Sequence, residues 1–275
     1  MNTPRPFGID LQVLLVLGAA AAIAFEMLLL RRRCHRVDRS DVMKSMLFGL
    51  TWAGVRVIGG KVALFGVWLW TWQRLSLFEI DPRSPRAWIA YFLIGDFLYY
   101  WTHRLEHRVR AFWCSHLVHH SSEQFNLATA VRQSWTEVFY KPVIALWAPL
   151  LGFHPVMYVT VGAVSLAIGQ WQHLEWFGKR RLLDAVLMSP SNHRVHHARN
   201  ARYLDRNFGG GLVVWDRLFG TYEPEQEQAV FGVLHLPSAG SMAEESMGGW
   251  PELIRAMRAD GSVRGSTRLA LGRPT

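Results

Sequence analysis

Nine of the twelve histidines in this 275-residue chain fall into a pattern. HRLEH sets His103 and His107 four residues apart. HLVHH sets out His116, His119 and His120, and HRVHH repeats that spacing with His193, His196 and His197. His173 stands by itself in WQHLEW. Residues three and four apart share a helix face, so each cluster can direct its imidazoles to one point. Random placement would give two HxxHH patterns on the order of once in several thousand chains, so coincidence does not account for them. A pH sensor has no need of two identical triplets, and metal-storage tracts are low-complexity runs, unlike these interleaved clusters. The pattern indicates metal coordination at a defined site. Eight or nine ligands are too many for one tetrahedral ion but fit two ions of four or five ligands each. Neutral nitrogen ligands without cysteine, beside apolar segments, point to redox iron and dioxygen chemistry. Arg104, Arg108 and Arg110 fit that reading, because nearby positive charge disfavours imidazole protonation and so keeps a ligand available.

A narrower reading takes HRLEH alone. It matches H-x-x-E-H, in which two histidines hold one zinc and Glu106 would be the base. That leaves the six histidines of the two triplets, and His173, without work. A non-catalytic metal-binding protein is the third alternative. His35, His154 and His235 read as surface or turn residues. Asp96 lies seven residues before His103, two helical turns back on the same face, where a carboxylate could accept the outer N–H of a ligand imidazole. Asp216 in WDRLFG is a comparable candidate, and Asn192, next to His193, is a third. Asn126 and Arg132 are candidates for ordering the loop after the second cluster.

The elements that must position these residues read as membrane-spanning helices. Half of the chain is hydrophobic, with 13 tryptophans and 15 phenylalanines, a profile suited to a membrane protein with sizeable aqueous loops. The net charge of +9 sits mostly beside apolar segments, as in RRRCHR at 31–36. No basic-aromatic binding motif is present, so the reading is anchoring, with no nucleic-acid partner. Residues 9–30 are long enough to cross a bilayer. The arginines follow them rather than precede them, which disfavours a cleaved signal peptide and puts the N-terminus outside. A second apolar region runs from about 46 to 78, either spanning over about 57–78 or lying partly along the interface. The third span is 87–101. Two apolar runs over 138–171, divided by GFHPV, read as a hairpin turning at Gly152 and Pro155. This parity places every histidine cluster on the cytoplasmic face. Cys34 and Cys114 cannot form a disulfide framework or supply the thiolates of an iron–sulfur cluster, and read as inert. The expected fold is all-α: a multi-span transmembrane bundle with a helical, histidine-rich cytosolic cap. Residues 1–86 are its anchor helices, 87–235 the catalytic domain, and 236–275 a surface helix (WPELIRAM) with a disordered tail.

On these residues the chain resembles the fatty acid hydroxylase/sterol desaturase superfamily of integral-membrane di-iron enzymes, whose signature is H-x3-H, H-x2-H-H, H-x2-H-H. DFLYYWTHR before the first cluster and SPSNHRVHH and YLDRNFGGGLVVWDRLFGTYEPE around the last carry the likeness across roughly 90–225. HHSSEQFNLATAVRQSW, GFHP and the isolated His173 resemble the alkylglycerol monooxygenase branch, which oxidises ether lipids. The resemblance implies that His103, His107, His116, His119, His120, His193, His196 and His197 ligate two iron ions, with His173 a ninth ligand. Two positions depart from that branch. Asn192 precedes His193 where a histidine is usual, and Arg108 follows His107 where a glutamate is usual. The substrate therefore stays open among sterol, fatty acyl and ether lipids. The reaction implied is O2-dependent oxidation of an unactivated C–H bond, by hydroxylation or desaturation, in a dry pocket reached from the bilayer. With no GxGxxG fingerprint, haem motif or cluster cysteines, electrons are expected from an external donor: a ferredoxin, cytochrome or flavin reductase.

Overall fold

The computed structural model describes residues 11–32, 37–58 and 61–274. Helices supply its regular structure. Among those residues β pairing is limited to two isolated antiparallel bridges, Leu187–Leu212 and Ala198–Phe231. Helices α1 (Leu11–Arg32), α2 (Arg39–Ile58) and α3 (Lys61–Leu75) precede the histidine region. The apolar stretch from 46 to 78 is thus shared between α2 and α3. Residues 1–10 and 33–36, which carry the start of the expected first span and most of RRRCHR, lie outside the described residues.

α4 (Pro85–Arg108) starts with Pro85 in its first turn, where a missing N–H costs nothing. It ends because Val109 turns extended, and α5 (Arg110–His120) begins at the next residue. That single-residue break folds α5 back on α4 and brings HRLEH against HLVHH. Asn126 then caps the short α6 (Leu127–Ala130), its Oδ1 accepting from the amides of Ala128 and Thr129. The buried Arg132 guanidinium donates to the Val118 carbonyl and to Asp41 on α2, the latter at 3.0 Å. Both residues do order the loop as expected.

The expected hairpin over 138–171 has one intact arm. Its first half is broken into a 3-10 turn (Trp135–Phe139), α7 (Lys141–Ile144) and α8 (Trp147–Leu151). Pro142 and Pro149 are the physical reason, since each removes an amide donor and crowds the preceding turn. Gly152 turns the chain at φ 93°, against the Phe78 carbonyl, where a Cβ would collide. His154 caps α9 (Pro155–Gln172) by accepting from the Val156 amide.

Beyond α10 (Arg181–Val186), Ser189 caps α11 (Pro190–His197), which carries HRVHH. α12 (Val214–Leu218) follows. α13 (Met242–Ser246) comes next. The surface helix expected at WPELIRAM is α14 (Trp250–Asp260), whereas the tail beyond it, expected to be disordered, folds into α15 (Val263–Leu271). Its Gly/Ser/Arg composition conceals an amphipathic stretch. α14 and α15 pack on α5, with Gly249 N donating to Cys114 O and Arg110 N to Gly272 O, both at 2.8 Å.

Trp68, Tyr91, Ala148, Phe153 and Met157 form a core between α3, α4, α8 and α9. A second core joins Ile23 on α1 to Leu127 and Ala128 on α6. Glu26 on α1 is buried there and accepts from Leu127 N at 2.6 Å, which ties α1 to the histidine region. Among the described residues no helix is both long and apolar enough to cross a membrane, so helix length lends the multi-span expectation no support.

Candidate metal centre

α4, α5, the end of α9 and α11 converge, and the nine patterned histidines meet in two groups. His103, His107, His116, His120 and His196 form one; His119, His173, His193 and His197 form the other. Within each group the nitrogens lie within 4.8 Å of one another. Opposite ligands around an ion with bonds of about 2.1 Å would be about 4.2 Å apart, so both groups have the dimensions of a coordination shell.

The expectation that each triplet aims at one point is corrected by this sorting. On α5, His116 and His120 belong to the group of five and His119 to the group of four. On α11 the assignment is reversed: His193 and His197 join the four and His196 the five. Helix geometry is the cause. Positions i and i+4 are about 40° apart around the axis, whereas adjacent positions are about 100° apart. Each HxxHH therefore gives two rings to one point and one to its neighbour. The two groups share a wall, with the His120 and His197 rings stacked at 4.2 Å between centroids.

Hydrogen bonding fixes which nitrogen faces inward. His103 Nδ1 lies 3.0 Å from Phe208 O and His196 Nδ1 3.0 Å from Arg206 O. His119 Nδ1 lies 3.2 Å from Arg132 O and His173 Nδ1 2.7 Å from Gly169 O. A carbonyl only accepts, so each Nδ1 carries the proton and each Nε2 offers a lone pair. Those Nε2 atoms point at one another: His103 to His116 at 3.0 Å, His196 to His120 at 3.1 Å, His173 to His197 at 3.3 Å. Lone pairs held this close repel unless cations lie among them, so the donor set fits metal ions. Burial pushes His103 down to about 3 and His173 down to about 4, and holds the other seven well below the ordinary range. For most of those, charge on neighbouring imidazoles adds to the effect. All nine are then neutral at physiological pH, the state a metal requires.

The residues expected to hold the rings from behind are placed differently. Asp96 accepts from the Gly211 and Leu212 amides and from Trp215 Nε1, tying α4 to the glycine loop instead of touching an imidazole. Spacing along α4 carries no trace of the loop, far downstream in the chain, that occupies this carboxylate. Asp216 accepts from the Phe208 and Gly209 amides at 2.7 and 2.8 Å and from Thr221 Oγ1. It thus supports His103 through the Phe208 carbonyl. Asn192 donates to the Asp184 and Leu187 carbonyls, while its own carbonyl accepts from Asn207 Nδ2. Neither residue touches an imidazole. Asn207 and Asp205 both have left-handed backbones, at φ 56° and 59°, and between them they aim the Arg206 carbonyl at His196.

One contributor was not read from the sequence: Phe125, which stacks on the His173 ring at 5.2 Å. Glu106, singled out in HRLEH, stands behind His116, its Oε2 3.5 Å from Nδ1. Phe125 lies within HHSSEQFNL, the signal that could have found it; backbone carbonyls leave no such trace. Glu106 faces the outer edge of an imidazole whose inner nitrogen joins the group, which is the wrong side for the base of a single-zinc hydrolase.

A profile of the fatty acid hydroxylase family matches residues 88–221. The human alkylglycerol monooxygenase is 40% identical over 173 residues, 61% of this chain and 38% of that protein. The Caenorhabditis elegans alkylglycerol monooxygenase is 30% identical over 205 residues, 72% of this chain and 39% of its own length. An ornithine lipid hydroxylase of Rhizobium tropici is 29% identical over 160 residues, 55% of this chain and 47% of that protein. The matches thus span less than half the length of these relatives. No solved structure matches the chain.

Proposed function

Since this chain belongs to the fatty acid hydroxylase superfamily, on its alkylglycerol monooxygenase-like branch, we propose that it is a membrane-held di-iron monooxygenase that uses O2 to hydroxylate a lipid. The observation that carries this reading is the pair of adjoining, buried groups of neutral imidazoles with their lone pairs turned inward. A pair of iron ions bound there supplies activation of dioxygen and removal of hydrogen from an unactivated C–H bond.

The chain's own part is to hold and to exclude. His103, His107, His116, His120 and His196 hold one ion; His119, His173, His193 and His197 hold the other. The carbonyls of Phe208, Arg206, Arg132 and Gly169 keep the protons on the outer nitrogens, so each ring presents the same face throughout turnover. Phe125 and Phe208 pack against the rings and keep water from them. Hydroxylation is favoured over desaturation because the relatives are named as monooxygenases and hydroxylases. An ether lipid, a glycerol carrying an O-alkyl chain, is the first substrate class to try. Electrons come from a separate ferredoxin, cytochrome or flavin reductase.

Attachment to the bilayer is supported by outward apolar side chains. Phe25 and Leu28 on α1, Val67 and Trp70 on α3, and Val159 and Leu166 on α9 are all exposed, more apolar surface than water favours. The arginines that follow the first apolar stretch support putting the histidine clusters on the cytoplasmic side.

The test begins by counting metals in the chain purified in mild detergent from iron-replete membranes. Next, 18O2, a reducing system and an O-alkylglycerol lipid are supplied. Two irons per chain and one 18O atom in the product are expected. One tightly held zinc, no O2 uptake and activity unaffected by H196A would overturn the proposal in favour of a hydrolase built on HRLEH. Two ions with no O2 uptake on any lipid would leave a metal-binding protein without this activity.

A further inference from the structure

Building on the two-metal reading above, we infer that Glu106 is the positioning residue of the five-histidine group, holding His116 through its outer nitrogen. His103 and His196 rest their outer nitrogens on backbone carbonyls. His116 Nδ1 is buried with no hydrogen-bond partner, and a carboxylate oxygen of Glu106 stands 3.5 Å away. His107 also faces a carboxylate, but Asp205 is 4.0 Å distant, half-exposed and engaged with Arg108. Glu106 is buried, its side chain 5% accessible.

The surroundings fix its orientation. Tyr140 Oη donates to Oε1 at 2.5 Å, and Lys141 Nζ lies 3.7 Å from the same oxygen while pairing with Glu137 at 2.9 Å. With Oε1 occupied, Oε2 is the oxygen left for His116. Glu106 is not placed as a ligand, because His116 Nε2 faces inward, 3.0 and 3.1 Å from the Nε2 atoms of His103 and His120. The anionic acceptor makes the difference: a carboxylate draws the Nδ1 proton more strongly than a carbonyl does and raises the electron density at Nε2. The two groups are therefore unequal. In the group of four, His119 and His173 have carbonyl partners only. The five-histidine ion has a carboxylate behind one of its ligands, and its affinity and electronic spectrum depend on Glu106 as those of its neighbour do not.

The experiment is a cobalt(II) titration of the metal-free full chain in detergent, followed through the cobalt visible bands. Wild type is expected to take up two equivalents. Glu106→Gln is expected to keep both sites and the same helical circular dichroism, but to bind one equivalent roughly 10–100-fold more weakly, with the bands of that site alone displaced. Glu106→Asp, which keeps the charge, should recover part of the loss. Tyr140→Phe, which leaves the carboxylate in place, should disturb the same site less and serves if the glutamine variant does not fold. Wild-type affinities and bands for both ions in Glu106→Gln would overturn the inference, as would equal weakening of both sites. Fewer than two equivalents in wild type would instead overturn the two-metal reading on which it rests.

Discussion

His119 and His120 are adjacent in the chain and turn to different groups, as do His196 and His197. Replacing one or the other member of a pair should therefore remove different ions. His196→Ala is expected to lose the ion of the five-histidine group and His197→Ala that of the group of four, each leaving about one ion per chain by elemental analysis and distinct residual cobalt spectra. Identical spectra would mean that the groups do not act separately. Asp216 offers a purely structural contrast. It is fully buried and satisfies two amides and a hydroxyl, so Asp216→Ala strands three donors at about 1–3 kcal/mol each. A loss of several kcal/mol in urea unfolding is expected, with the Phe208 carbonyl no longer held against His103. Eight of the nine histidines were legible in their spacing, whereas His173, which stands alone, was legible only through the family resemblance. Their sorting followed from the same spacing once adjacent positions were treated as diverging. The partners of Asp96 were not legible, because a carboxylate within a helix binds whatever the fold brings to it, here a loop more than 100 residues downstream.

At the scale of elements, two short devices hold the site together. Ser189 starts α11 by accepting from Asn192 N, and Ser189→Ala should cost about 1 kcal/mol, measured as a lower denaturant midpoint with unchanged cooperativity. Gly248, at φ 62°, lets α14 approach so closely that a Cβ would strike the Cys114 carbonyl on α5. Gly248→Val should therefore displace α14 from the helix that carries HLVHH and reduce metal retention as well as stability; full retention would show that the docking is dispensable. The turn was easier to read than continuity: the chain reverses, as expected, at Gly152 and Pro155. Proline misled within 138–151, where an apolar run hid the breaks imposed by Pro142 and Pro149. The end of the tail misled in the opposite sense, since composition does not report the amphipathic order of α15.

For the molecule as a whole, the depressed histidines tie stability to pH. An unfolded imidazole takes a proton near 6.5, whereas His103 in the fold does so near 3 and His173 near 4. Between those limits the unfolded chain binds more protons, so stability falls as pH falls through this window and is fully present above it. The metal-free chain should show a melting temperature that declines from pH 7 to pH 4; a flat profile would mean that the rings are open to water. Adding metal at pH 7 should raise the melting temperature, as any ligand of the native state alone does. The pairing of distant stretches also has a consequence for biosynthesis. His103 leaves the ribosome long before α11 exists, and neither group can close without α11. The nascent chain thus exposes loose imidazoles that soft ions can seize in wrong combinations. The finished protein buries nearly all of them. Metal enters most readily in the interval after α11 is made and before the helices shut, so the yield of loaded protein should follow metal supply during translation, and metal added to the finished apoprotein should load it slowly.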